Sequence, residues 1–163
     1  LEIASAAGAC ASGEADSFVA SFVRSAEVRR RYSAAIIQYS VRQTRPDYRV
    51  LTQERFAAAD YGNFPLTMMD YYFKTTAQAS RTGEDEYVML ETNVSQSNQL
   101  SVEWTRVRFD GETEGGDDLG NATLLNGRPY VEGGSDIDGQ LLFEPTDDCW
   151  QLVADIRIHN GSD

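Results

Sequence analysis

Between Trp150 and Ile158 an apolar or small side chain returns at every second position, Trp150, Leu152, Ala154, Ile156 and Ile158. The same alternation runs through Ile137, Gly139, Leu141 and Phe143, and Pro145-Thr146-Asp147-Asp148 separates the two runs. A period of two sends alternate side chains to opposite faces of a strand, so the stretch predicts an antiparallel hairpin with one buried face. Two further strands obey the same rule. Glu86 to Val94 puts Val88, Leu90, Thr92 and Val94 on one face, and Leu100 to Phe109 follows after the turn-forming Ser95-Gln96-Ser97-Asn98. In the latter, Leu100, Val102 and Trp104 share a parity that Val107 and Phe109 break, which predicts a β-bulge near Thr105 or Arg106.

The N-terminal part reads differently. Phe18, Val19, Phe22, Val23 and Ala26 recur at one-face helical spacing, predicting a helix from Glu14 to about Arg31. Its Arg29-Arg30-Arg31 run suits the negative end of the helix dipole and reads as a solvated last turn. Ala35, Ile37, Tyr39 and Val41 then alternate as a half-buried strand. Thr52 to Asp60 is expected as a short helix, and Pro65 introduces an apolar run, Leu66 to Phe73, expected as one strand buried on much of both faces. A less regular strand is expected around Ala122 to Val131, after a Gly-rich, acidic loop from Asp110 to Gly120. The expected fold is therefore α+β, a helix packed on a mainly antiparallel sheet, with residues 1–13 a flexible arm and 14–163 a single domain. At 163 residues such a domain buries roughly 70% of its unfolded surface, enough for a core without a metal.

This order of elements, closing on Cys149-Trp150-Gln151-Leu152-Val153-Ala154-Asp155-Ile156, resembles the cystatin-like or NTF2-like α+β superfamily over roughly Glu14 to His159. The resemblance implies a curved antiparallel sheet wrapped around a helix to leave a cone-shaped cavity. Enzymes of that superfamily, such as ketosteroid isomerase-like proteins, use a carboxylate base with a phenol or acid at the oxyanion.

Charge narrows the partners. With 26 acidic and 14 basic residues the formal net charge is -12, which repels phosphate backbones and anionic membrane surfaces. Nucleic acid is therefore not expected as a partner. No apolar run reaches the ~18 residues of a membrane span, so no transmembrane segment is expected. Lys74 is the only lysine among the basic residues, an arginine bias that suggests a GC-rich bacterial genome.

Cys10 and Cys149 are the two cysteines, which allows one bridge or two free thiols. A bridge would tie the N-terminal arm to the C-terminal hairpin and imply a periplasmic or secreted protein, to which the missing initiator Met and the small, weakly apolar opening residues also point. Buried reduced thiols in a cytosolic protein, or acylation at Ala7-Gly8-Ala9-Cys10, are the alternatives.

Catalytic signatures are sparse. No P-loop, dinucleotide or Gly-x-Ser-x-Gly motif occurs, and one histidine with two cysteines cannot build a nitrogen-sulfur metal site, so neither a metal nor a cofactor is expected. Asp136-Ile137-Asp138-Gly139 is a fragment of a calcium loop, with Asp110, Glu112, Glu114, Asp117 and Asp118 near it in sequence, but the twelve-residue ligand spacing is missing. Asn93, Asn121 and Asn160 begin glycosylation sequons that matter only in a eukaryotic secretory pathway. For acid-base work the leading candidate is Asp70 with the phenols of Tyr71 and Tyr72, followed by Glu91, by Glu103 with Arg106 and by Asp155 with Arg157. Strand charges also alternate outward as ordinary ion pairs. The expectation is a non-catalytic extracytoplasmic domain that binds a small ligand or docks a protein. The alternatives are an NTF2-like isomerase, cyclase or hydrolase using Asp70, and a structural subunit that forms a homodimer.

Overall fold

The computed structural model describes residues 2–76, 78–80, 86–109, 111, 120–134 and 136–159. Three helices, α1 (Glu2–Ser12), α2 (Ala15–Arg24) and α3 (Ala26–Arg31), precede the strands. These are β1 (Ser33–Gln43), β2 (Arg49–Ala57), β3 (Leu66–Met69), β4 (Tyr72–Thr75), β5 (Tyr87–Val94), β6 (Leu100–Phe109), β7 (Ala122–Leu124), β8 (Gly139–Pro145) and β9 (Trp150–His159). Among the described residues they form one sheet in the order β2-β1-β9-β8-β6-β5-β4-β3, with β7 paired to β6. Among the described strands only β1 and β9 pair in parallel. The fold is thus the expected α+β arrangement, N-terminal helices on a large, curved, mostly antiparallel sheet.

The residues expected as an arm form α1. Its alanines favour helix, and Ala6 and Ala9 are buried against the core. Directly after Ala9, the sulfurs of Cys10 and Cys149 stand at disulfide-bonding distance, with the Cα atoms 4.9 Å apart. The single helix expected from Glu14 to Arg31 breaks at Ser25, where extended backbone lets the hydroxyl accept from the Val28 N–H at 3.3 Å and cap α3. Arg29 turns back onto the end of α2, its Nη1 donating to the carbonyls of Phe22 (3.0 Å) and Val23 (2.6 Å). Carbonyls otherwise orphaned at a helix end are thereby satisfied. The arginine run therefore splits, with Arg29 half-buried and Arg30 and Arg31 exposed.

Phe18 and Phe22 are wholly buried and form the keel of the core. Phe18 meets Phe143 at 5.8 Å and Trp150 at 5.4 Å, and Phe22 meets Phe143 at 5.0 Å in an edge-to-face contact. The Trp150 indole N–H donates to the Asn98 carbonyl at 2.9 Å, so its one polar atom is satisfied.

Three expectations are corrected. Thr52 to Asp60 is not a helix, because β2 zips onto β1 from Arg49 to Ala57 and leaves only a 3-10 turn, Ala58–Asp60. Ladder hydrogen bonds outweigh the modest helix preference of Gln53-Glu54-Arg55. Leu66 to Phe73 is two short strands, since Met69 pairs with Tyr72 and leaves Asp70-Tyr71 as a two-residue turn. β6 carries no bulge at Thr105 or Arg106, as its ladder with β5 is continuous from Leu100 to Val107. Trp104, Thr105, Arg106 and Val107 are all buried, so the strand has two covered faces and needs no change of parity.

Candidate ligand-binding pocket

Asp70 sits at the tip of the β3–β4 hairpin with φ 56°, in the left-handed region that Asp tolerates better than most residues. It is exposed, and the neighbouring Tyr71 is 90% exposed. Tyr72 is half-buried and packs edge-on against Tyr87 at 6.0 Å. Asp70 is thus an exposed turn residue, and none of Asp70, Tyr71 and Tyr72 lines the pocket described below.

The other strand carboxylates also find structural company. Glu91 and Glu103 lie opposite each other across β5 and β6. Arg106 pairs with Glu86 (Nε to Oε1, 3.0 Å) and Asp138 (Nη1 to Oδ1, 3.3 Å), and Glu103 is not its partner. Asp138 also accepts the Arg106 backbone N–H at 2.6 Å, while Asp136 pairs with Arg45 at 3.1 Å. Both aspartates of the calcium-loop fragment are thus engaged by guanidinium groups. Asp110, Glu112, Glu114, Asp117, Asp118 and the sequon at Asn160 lie outside the described residues. Among the described residues no cluster of three or more His, Cys, Asp or Glu is placed to hold a metal.

Asp155 and Arg157 do meet. Arg157 grips Asp155 in a bidentate pair, Nε to Oδ1 and Nη2 to Oδ2 both at 2.9 Å, and Asp155 is wholly buried. The Tyr61 hydroxyl donates to Oδ2 at 2.6 Å, Arg157 donates to the Asn63 carbonyl, and its guanidinium lies 5.2 Å from the centre of the Tyr39 ring. Burial, reinforced by the Asp155 charge and hydrogen bond, drives the Tyr61 pKa far above its ordinary value. Burial alone would lower the Arg157 pKa, but Asp155 outweighs it and the net shift is upward. Tyr61 therefore stays a phenol and Arg157 a guanidinium. The trio fixes the loop from Tyr61 to Phe64 onto β9.

That loop forms one wall of a half-open pocket of about 810 Å³ between the sheet and the ends of α2 and α3. Phe64, Ala58 and Ala59 provide its open apolar surface, backed by the buried Phe22, Val23, Leu66 and Leu152. Arg24, Arg29 and Arg30 stand on the helical side, with Thr67, Thr76 and Gln78 across from them, and no Asp or Glu among the described residues lines it. The Arg29 guanidinium lies 5.1 Å from the centre of the Phe64 ring, bridging the two walls. Burial lowers the Arg29 pKa, Tyr61 opposes the shift and the charge of Arg30 adds to it. Sequence reasoning missed this pocket because its lining comes from well-separated segments. The available signal was the Arg29-Arg30-Arg31 run, which sequence alone reads as a solvated helix end.

The fold and this cavity define an α+β domain with a pocket that has an apolar floor and a cationic wall. Compared with known protein families and with curated proteins, the chain matches none. No helix among the described residues is long and apolar enough to cross a membrane.

Proposed function

We propose that this chain is an extracytoplasmic, NTF2-like domain that binds a small ligand without chemical turnover. The observation that carries the reading is the 810 Å³ pocket between helices and curved sheet, within the range of about 300–1,000 Å³ usual for small-molecule sites. The NTF2-like element order, with helices over a curved sheet, supports the superfamily reading. The Cys10–Cys149 pair supports an oxidising compartment. Tyr61 turns its hydroxyl to Asp155, and that carboxylate is sealed by Arg157, so the best acid-base candidates near the pocket are committed to structure.

Gly62 lines the pocket, and a Cβ there meets nothing within 4 Å. Gly62→Trp is therefore expected to fill the mouth without disturbing the fold. A small-molecule panel read by thermal shift should raise the Tm of the parent protein and not that of the variant. Ligands that stabilise both equally would sink the proposal.

A second reading, the homodimer, draws on Ile36, Tyr48, Val50 and Leu51, all 42% or more exposed and on or beside the free edge strand β2. Sedimentation at micromolar concentration tests it, and a monomeric mass would remove it.

A further inference from the structure

We propose that the ligand of this pocket is a carboxylate on an apolar body, the carboxylate held by Arg29 and Arg30 and the body lying against Phe64, Ala58 and Ala59. The inference rests on the ligand-binding reading above and names the ligand's chemistry.

The chain carries 26 acidic and 14 basic residues, yet the pocket lining reverses that balance, with three arginines and no carboxylate among the described residues. Only one of the three is matched. Arg24 pairs with Glu2 at 3.2 Å. Arg29 spends Nη1 on two neutral carbonyls, and its Nε and Nη2 make no hydrogen bond among the described residues. Arg30 makes no ion pair among the described residues. Two neighbouring guanidinium groups facing a partly dry space repel each other, and an anion between them relieves both the repulsion and the desolvation. Burial is the main cause of the downward shift at Arg29, and the Arg30 charge adds a smaller part.

The remaining surface selects the anion. Guanidinium forks match the two oxygens of a carboxylate. The apolar surface open to a ligand is that of Phe64, Ala58 and Ala59, which cannot replace the hydration shell of a phosphate dianion but gains from an apolar body laid on it. Thr67, Thr76 and Gln78 supply neutral polar groups on the far wall and no charge.

The test titrates the full chain calorimetrically with decanoate, decanol and decyltrimethylammonium, which share a tail and differ in head-group charge. Decanoate is expected to bind about tenfold more tightly than decanol, the ratio that one charge-assisted hydrogen bond supplies. Arg30→Gln is expected to remove most of that preference, and Gly62→Trp to abolish binding of both. Molar salt should weaken decanoate and spare decanol. Equal binding of decanoate and decanol, or a preference for decyltrimethylammonium, overturns the carboxylate assignment and leaves the ligand-binding reading standing. If none of the three binds, and the parent protein and Gly62→Trp give the same traces, both fall.

Discussion

The indole of Trp104 on β6 occupies the space that any side chain at its cross-strand partner Gly139 on β8 would need. A Cβ at 139 would overlap Cε2, Nε1 and Cζ2 of the ring. Trp104 is wholly buried and its other neighbours include the Arg106 guanidinium, 5.1 Å from the ring centre, so it has no free direction in which to move. Gly139→Ala is therefore expected to cost about 1–3 kcal/mol through overpacking, read as a lower midpoint in denaturant. A variant as stable as the parent would show that the ring has somewhere to go.

Arg106, Glu86 and Asp138 form a buried ionic cluster, each no more than 8% exposed, that ties β6 to the entries of β5 and β8. Removing one partner leaves an uncompensated charge in a dry site. Asp138→Ala should destabilise the protein by about 3–5 kcal/mol, whereas breaking the exposed Arg49–Asp47 pair should change stability by less than about 1 kcal/mol. Equal effects in the two variants would contradict this ranking.

The phenol at Tyr61 gives an alkaline signature. Its folded pKa lies above the unfolded value near 10, so its contribution is fully present below about pH 10 and falls away as the pH rises beyond it. In a spectrophotometric titration one tyrosine should resist ionisation until the chain unfolds. Tyr61→Phe should remove that resistant group and flatten the stability profile above about pH 10. An unchanged profile would place the effect elsewhere.

Reduction provides a fourth prediction. Cys10 and Cys149 are separated by 139 positions, and closing so long a loop stabilises by about 2–5 kcal/mol. Cys10→Ser with Cys149→Ser should lower the Tm in a way that reductant does not deepen, while the parent shifts on reduction. A parent insensitive to reductant would mean the thiols are not bridged in solution.

What the sequence disclosed follows from burial. β5, β6, β8 and β9 were legible because a covered face forces alternation, and α2 was legible because Phe18 and Phe22 must both reach Phe143. β2 was not, since a free edge strand with Val50 and Leu51 exposed carries no period to read. The aromatic letters after Asp70 concealed a turn, because Tyr71 spends its ring in water. Asp155 was named with Arg157, but its phenol partner comes from 94 residues away, a separation no local pattern encodes.

The Cys10–Cys149 link has a consequence for how the chain comes apart. It closes everything from the end of α1 to the start of β9 into one covalent circle, so a single cut anywhere between those residues opens the circle without yielding two molecules. A protease acting within it would produce a nicked species that still migrates as one mass until a reductant is added. New chain ends could be opened in any exposed turn of the circle, with α1 and β9 still held to each other.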